Sequence, residues 1–211
     1  MALTFTQADH QRISAAITRA ERGTRGEIYA VFARRSADVT PVSYAAALAL
    51  CLLCGLVASA LGALAGHALP AVALALGQCI GAIVLLSALR FHPGLRDLFV
   101  PGILARAAAA RVAREQFAAH NLHVTQGRTG ILIFVSEAEH YAQIIADTGI
   151  AERVAPEAWS GMVDTLIRAA RDDRLADGLV EVIAEAGAVL EQAFPADGQS
   201  VNELPDRLVE I

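Results

Sequence analysis

Residues 43–66 read SYAAALALCLLCGLVASALGALAG and residues 69–89 read LPAVALALGQCIGAIVLLSAL. Between Asp38 and Arg90 there is no Asp, Glu, Lys or Arg. At a rise of about 1.5 Å per residue the two runs give roughly 36 and 31 Å of helix, enough to cross a hydrocarbon core of about 30 Å. Helices buried in soluble cores are usually shorter and broken by polar residues. The stretch therefore reads as a transmembrane hairpin over residues 43–91, its spans joined by a turn at His67.

The hairpin carries its own packing signals. Gly62 with Gly66, and Gly77 with Gly81, are GxxxG pairs, and Gly55 with Ser59 adds another small-xxx-small pair. Small residues four apart let helix backbones approach closely, and in lipid such packing is a main source of association energy. The spacing predicts that the spans pack on each other; a contact face for another membrane protein is the second reading. Gln78 lies mid-span and needs a hydrogen-bond partner there, which Ser59 can supply if the two depths align.

Charge orients the hairpin. Residues 1–42 carry a net +2, residues 90–128 a net +4 and residues 129–211 a net −11. Arg34 and Arg35 precede the first span and Arg90 and Arg96 follow the second, whereas the connecting turn is uncharged. By the positive-inside rule both flanks are expected in the cytoplasm, with the chain a multi-pass protein of the cell (inner) membrane in contact with its lipid. Residues 1–20 lack a continuous apolar stretch, so no secretory leader is expected. Basic residues beside the membrane and an acidic outer part also argue against nucleic acid as a partner.

All 17 basic residues are arginine, which excludes a Walker A lysine and a Schiff base. Cys51, Cys54 and Cys79 all fall inside the spans and read as packing residues, so no structural disulfide is expected.

Outside the hairpin the pattern alternates helix and strand. Thr6 to Arg22 is amphipathic, with Thr6 or Asp9 as cap and Ile13, Ala16, Ile17 and Ala20 on one face. Gly26 to Arg34 reads as a strand buried on both faces. Ile103 to His120 is an Ala-rich helix with Leu104, Ala108, Val112 and Phe117 expected inside. Ile131 to Val135 is a central strand, and the short turn at residues 137–140 makes Tyr141 to Ala146 its antiparallel neighbour. Helices follow from Pro156 to Arg171 and from Arg174 to Ala193. The tail to Ile211 is ordered only if it docks. Neither flank has enough apolar elements to close a core alone, so residues 1–42 and 93–211 are expected to form one split domain.

Several pieces together resemble the TPM domain family. They are Glu21 through Glu27 with the strand after it, Ala113 to Phe117, the run from Arg128 to Ser136, Asp147-Thr148-Gly149-Ile150, Trp159, Gly178-Leu179, Phe194-Pro195 and Asn202-Glu203-Leu204-Pro205-Asp206. The set looks like the branch in which a membrane hairpin interrupts the domain. The resemblance implies an α/β fold, a small central mixed β-sheet flanked by helices, and a role in assembly or maintenance of membrane protein complexes. Some members of that family carry a phosphatase label and some bind divalent metal.

The residues themselves carry no phosphatase signature: there is no C-x5-R cradle, no D-x-D pair and no G-x-S-x-G elbow. Asp147 closes a strand, Glu152 follows it and Glu157 opens a helix; if those ends meet, they could supply oxygen ligands to Ca²⁺ or Mg²⁺. Gly127 to Gly130 could offer amides to an anion, although a turn into a strand is the commoner explanation. His120 and His123 fall where a helix ends and read as surface histidines. Two functions stay open: a non-catalytic accessory module that contacts another membrane protein, and a weak metal-assisted phosphatase.

Overall fold

Seven consecutive buried residues, Glu27–Ala33, form β1 at the centre of a four-stranded sheet. The computed structural model describes residues 3–36, 40–66, 70–120, 122, 127–197 and 202–211; His67 and His123 lie outside them. The chain forms two compact units, Met1–Ala37 with Arg106–Ile211, and Asp38–Ala105.

In the first unit, β1 pairs in parallel with β2 (Gly130–Ser136), Glu27 opposite Gly130 and Ala33 opposite Ser136. β2 pairs antiparallel with β3 (Tyr141–Ala146) across the tight turn. The tail docks: β4 (Leu208–Glu210) lies parallel to β1 on its other side, giving the order β3-β2-β1-β4. The unit is thus a mixed α/β fold, and strands from both sides of the apolar stretch share one sheet.

Each face of the sheet has its own core, which is why β1 and β2 are apolar on both sides. On one face, Ile28, Ala30, Phe32, Ile131 and Ile133 pack with α1 (Gln7–Glu21), α7 (Glu157–Arg171) and α8 (Leu175–Ala193). α1 opens with a capping box: the Asp9 N–H donates to Thr6 Oγ1 at 3.2 Å and the Thr6 N–H to Asp9 Oδ2 at 2.9 Å. Leu175, Leu179, Val182, Ile183, Ala186 and Leu190 of α8 are all buried at helical spacing. Trp159 is buried in this core.

The other face buries Tyr29, Val31, Leu132 and Phe134 against Ala109 and Ala113. These alanines belong to α5 (Gly102–Ala119), whose buried stripe is displaced from the expected one. Leu104 is exposed, and Val112 and Phe117 are only partly buried. An Ala-rich helix has a nearly flat apolar profile, so larger residues do not reveal which face approaches the sheet. His120 is not a bare surface group: its ring lies 4.5 Å from that of Tyr29, whose hydroxyl is 3.2 Å from Nδ1.

The second unit holds α2 (Thr40–Leu64), α3 (Ala71–Phe91) and α4 (Pro93–Arg96). α2 and α3 are 25 and 21 residues long, with mean hydropathy 2.4 and 2.3 over an 18-residue window of each, and are long and apolar enough to cross a membrane. Arg96 ties their ends together, donating from Nε to the Leu89 carbonyl at 2.8 Å and from Nη1 to Thr40 Oγ1 at 3.4 Å. A cation suits the last turn of a helix, where carbonyls lack partners.

Candidate functional site

Asp147 ends β3 and caps the four-residue helix α6 (Thr148–Ala151). Its own N–H donates to the Gly130 carbonyl at 3.0 Å, which fixes it against the turn leading into β2. That turn is tight, with Gly127 and Arg128 at φ 85° and 53°. Gly149 comes so close that a Cβ there would sit 2.4 Å from the Gly127 carbonyl oxygen and 2.6 Å from that of Arg128. The glycine is what lets the two turns touch, and the Asp147 carboxylate beside them is buried. Oδ1 accepts the Thr148 N–H at 2.6 Å, whereas Oδ2 is buried with no hydrogen-bond partner among the described residues. A buried carboxylate oxygen without a donor calls for an explanation, and a cation is one.

Glu152 and Glu157 do not complete such a site. Both are exposed, Glu152 at the C-terminal end of α6 and Glu157 at the start of α7. Among the described residues no three His, Cys, Asp or Glu side chains are grouped to share a metal ion. A Mg²⁺ ion keeps several waters and Ca²⁺ takes roughly six to eight oxygens, and the buried Oδ2 of Asp147 by itself supplies neither arrangement.

A second acidic group was hidden from sequence reasoning. Glu21, in the last turn of α1, accepts the Ile28 N–H at 2.7 Å through Oε1, and among the described residues no donor reaches its buried Oε2. Burial pushes its carboxyl up to about 9; the Ile28 N–H opposes that, and the Glu27 and Asp206 carboxylates add to it. A proton on Oε2 turns the orphan acceptor into a donor towards Asp206. Glu27 is also buried and its carboxyl raised by burial, although its Oε2 accepts the Leu204 N–H at 3.2 Å. Asp206 instead takes Thr18 Oγ1 at 2.5 Å and Asn202 Nδ2 at 2.6 Å. The cluster is a lock that holds the tail on β1. Its sequence signal is a glutamate at the head of an otherwise apolar strand.

A cavity of about 490 Å³ opens where β2 ends, floored by Val135, Ala142 and Ile167, with Glu137, His140 and Arg171 among its lining. His140 has φ 46°. No sequence pattern pointed there, because its residues come from separate elements.

The fold is similar to that of the BA42 protein from the psychrophilic bacterium Bizionia argentinensis, known from an NMR structure. The TM-score is 0.60 at 17% identity, over 98% of this chain and 95% of that one. At that identity the likeness extends to the fold alone. No protein-family model and no curated protein matches the chain.

The small residues of the second unit divide by role. A Cβ on Gly55 would lie 1.9 Å from Gln78 Nε2, and one on Gly81 3.6 Å from Cys51 Sγ, so these two glycines face the partner helix. Gln78 therefore lies over Gly55, and no hydrogen bond to Ser59 forms among the described residues. Gly66, at φ 73° with open space around it, stands just past the end of α2 instead of packing. Gly77 also faces open space, in a groove of about 380 Å³ between the helices. Gly62 is half-buried.

Proposed function

We propose that this chain is a TPM-like membrane protein whose α2–α3 hairpin lies in the cell membrane with both flanks cytoplasmic. In this reading it serves as a non-catalytic accessory factor in the assembly or maintenance of a membrane protein complex. The observation that carries it is the belt of exposed Leu, Ile and Val around both helices, including Leu52, Leu56, Ile80 and Val84, each more than half exposed. A belt of this length and hydropathy suits lipid and neighbouring spans. Splitting one sheet across such a hairpin ties the α/β unit to the bilayer at both ends of the insertion.

A metal-assisted phosphatase is the second reading, favoured by the orphan oxygen of Asp147. Thr148 Oγ1 lies 3.3 Å from Asp147 Oδ1 and accepts from Arg128 Nη1 at 3.5 Å, so this reading has a hydroxyl and a cation beside the carboxylate, but among the described residues no three metal-ligating side chains are grouped there. Reporter fusions at His67 and at the C-terminus test the topology; an exported C-terminus refutes it. A mild-detergent pull-down paired with a phosphatase assay, with and without Mg²⁺ or Ca²⁺, separates the two functions. Turnover lost in a folded Asp147→Asn protein, with no partner recovered, overturns the accessory role.

A further inference from the structure

Along the outer side of α1 runs an open groove of about 630 Å³, lined by Gln11, Ser14, Arg19, Arg22 and Arg207 among others. Arg19 and Arg22 lie three residues apart on one helix face. Arg207 comes from the far end of the described chain and is brought alongside by the docking of β4.

The three cations stand in an acidic unit, and the nearby carboxylates are bonded to other residues, two of them (Asp206 and Glu210) to Thr18 and His10 of the groove's own lining. Asp206 is turned to Thr18 and Asn202. Glu210 faces His10 at 3.0 Å and Arg34 at 4.0 Å. Asp9 and Asp177 both pair with Arg12. Among the described residues Arg19, Arg22 and Arg207 make no ion pair with a carboxylate. The negative end of the α1 dipole accounts for basic residues in its last turn. It does not account for a third arginine delivered by the tail to the same groove.

Guanidinium forks match phosphate oxygens, and Gln11 and Ser14 add neutral hydrogen-bonding groups. The groove exceeds the size of a bare phosphate and has room for an attached glycerol, sugar or second phosphate. We propose that this groove binds a phosphorylated ligand through Arg19, Arg22 and Arg207, taken either from solution as a phosphate ester or diphosphate or from the headgroup of an anionic phospholipid.

The test uses the full chain in phosphatidylcholine nanodiscs, titrated calorimetrically with pyrophosphate. Binding is expected, weakened about tenfold by Arg207→Gln, the worth of one charged hydrogen-bonded contact. The double substitution R19Q/R22Q serves if Arg207→Gln disturbs folding. Arg168→Gln removes the same charge from α7 and leaves the affinity unchanged. Phosphatidic acid in the discs that suppresses the pyrophosphate heat assigns the headgroup; an unaltered heat assigns the soluble ligand. No pyrophosphate binding, or a loss in Arg168→Gln as large as in Arg207→Gln, overturns the proposal.

Discussion

Replacing Glu21 by glutamine isolates the lock that holds the tail. Burial raises the Glu21 carboxyl from 4.5 to about 9 in the folded state. The folded protein therefore holds a proton that the unfolded chain has released throughout that interval. Stability from this group is complete below the unfolded value and falls as pH rises towards the folded one. The full linkage slope is about 1.4 kcal/mol per pH unit, or about 2.7 kcal/mol between roughly pH 6 and pH 8. Glu21 is partly exposed, so solvent screening reduces this, and about half that loss is expected. Glutamine stays neutral and keeps both an acceptor for the Ile28 N–H and a donor for Asp206. Glu21→Gln should match wild type near pH 5 and be more stable by about 1–2 kcal/mol at pH 8. Denaturant titration in mild detergent, followed by the fluorescence of Trp159, measures this for the α/β unit alone, since Trp159 is the sole tryptophan. Glu27 contributes its own slope to both proteins, so the difference between them is the readout. Identical pH slopes in the two proteins would refute the buried, protonated Glu21.

Two further substitutions probe close approaches. Gly55→Leu drives a side chain into Gln78 and should separate α2 from α3, whereas Gly77→Leu points into open space and should not. With Cys54 and Cys79 changed to alanine, Gly81→Cys should cross-link to Cys51 under oxidant; persistence of that cross-link in Gly55→Leu would contradict the packing. Gly149→Ala sets a methyl against two carbonyl oxygens and should cost about 1–3 kcal/mol in the same Trp159 titration, so a wild-type midpoint would contradict the close approach of the two turns.

What was legible in the sequence was whatever depends on local pattern. The antiparallel β2–β3 pair follows from a continuous apolar run and a four-residue turn, and the buried face of α8 from its spacing. The tail strand was not legible: three residues with one buried leucine give no period to read, and they become a strand only because β1 leaves that edge open. The register of α5 failed for want of contrast among alanines. At the candidate site, Asp147 was found from its place after a strand, but Glu152 and Glu157 were grouped with it by proximity in sequence, whereas α6 and the turn after it leave both exposed. The Glu21, Glu27 and Asp206 cluster escaped because an acid in a single sequence is counted as solvated until the docked tail buries it.

The parallel pairing of β1 with β2 also dictates an order of events during synthesis. About one hundred residues separate Ala33 from its partner Ser136, and at roughly 5–20 residues per second the ribosome needs about 5–20 s to make them. Throughout that time the strand EIYAVFA has neither of its neighbours, although seven of its residues end up buried. Unpaired apolar strands of this kind recruit other chains. Both apolar helices emerge within the same interval, so the nascent chain carries two kinds of exposed apolar surface at once. Any delay in placing those helices lengthens the time for which β1 stands unprotected against such recruitment.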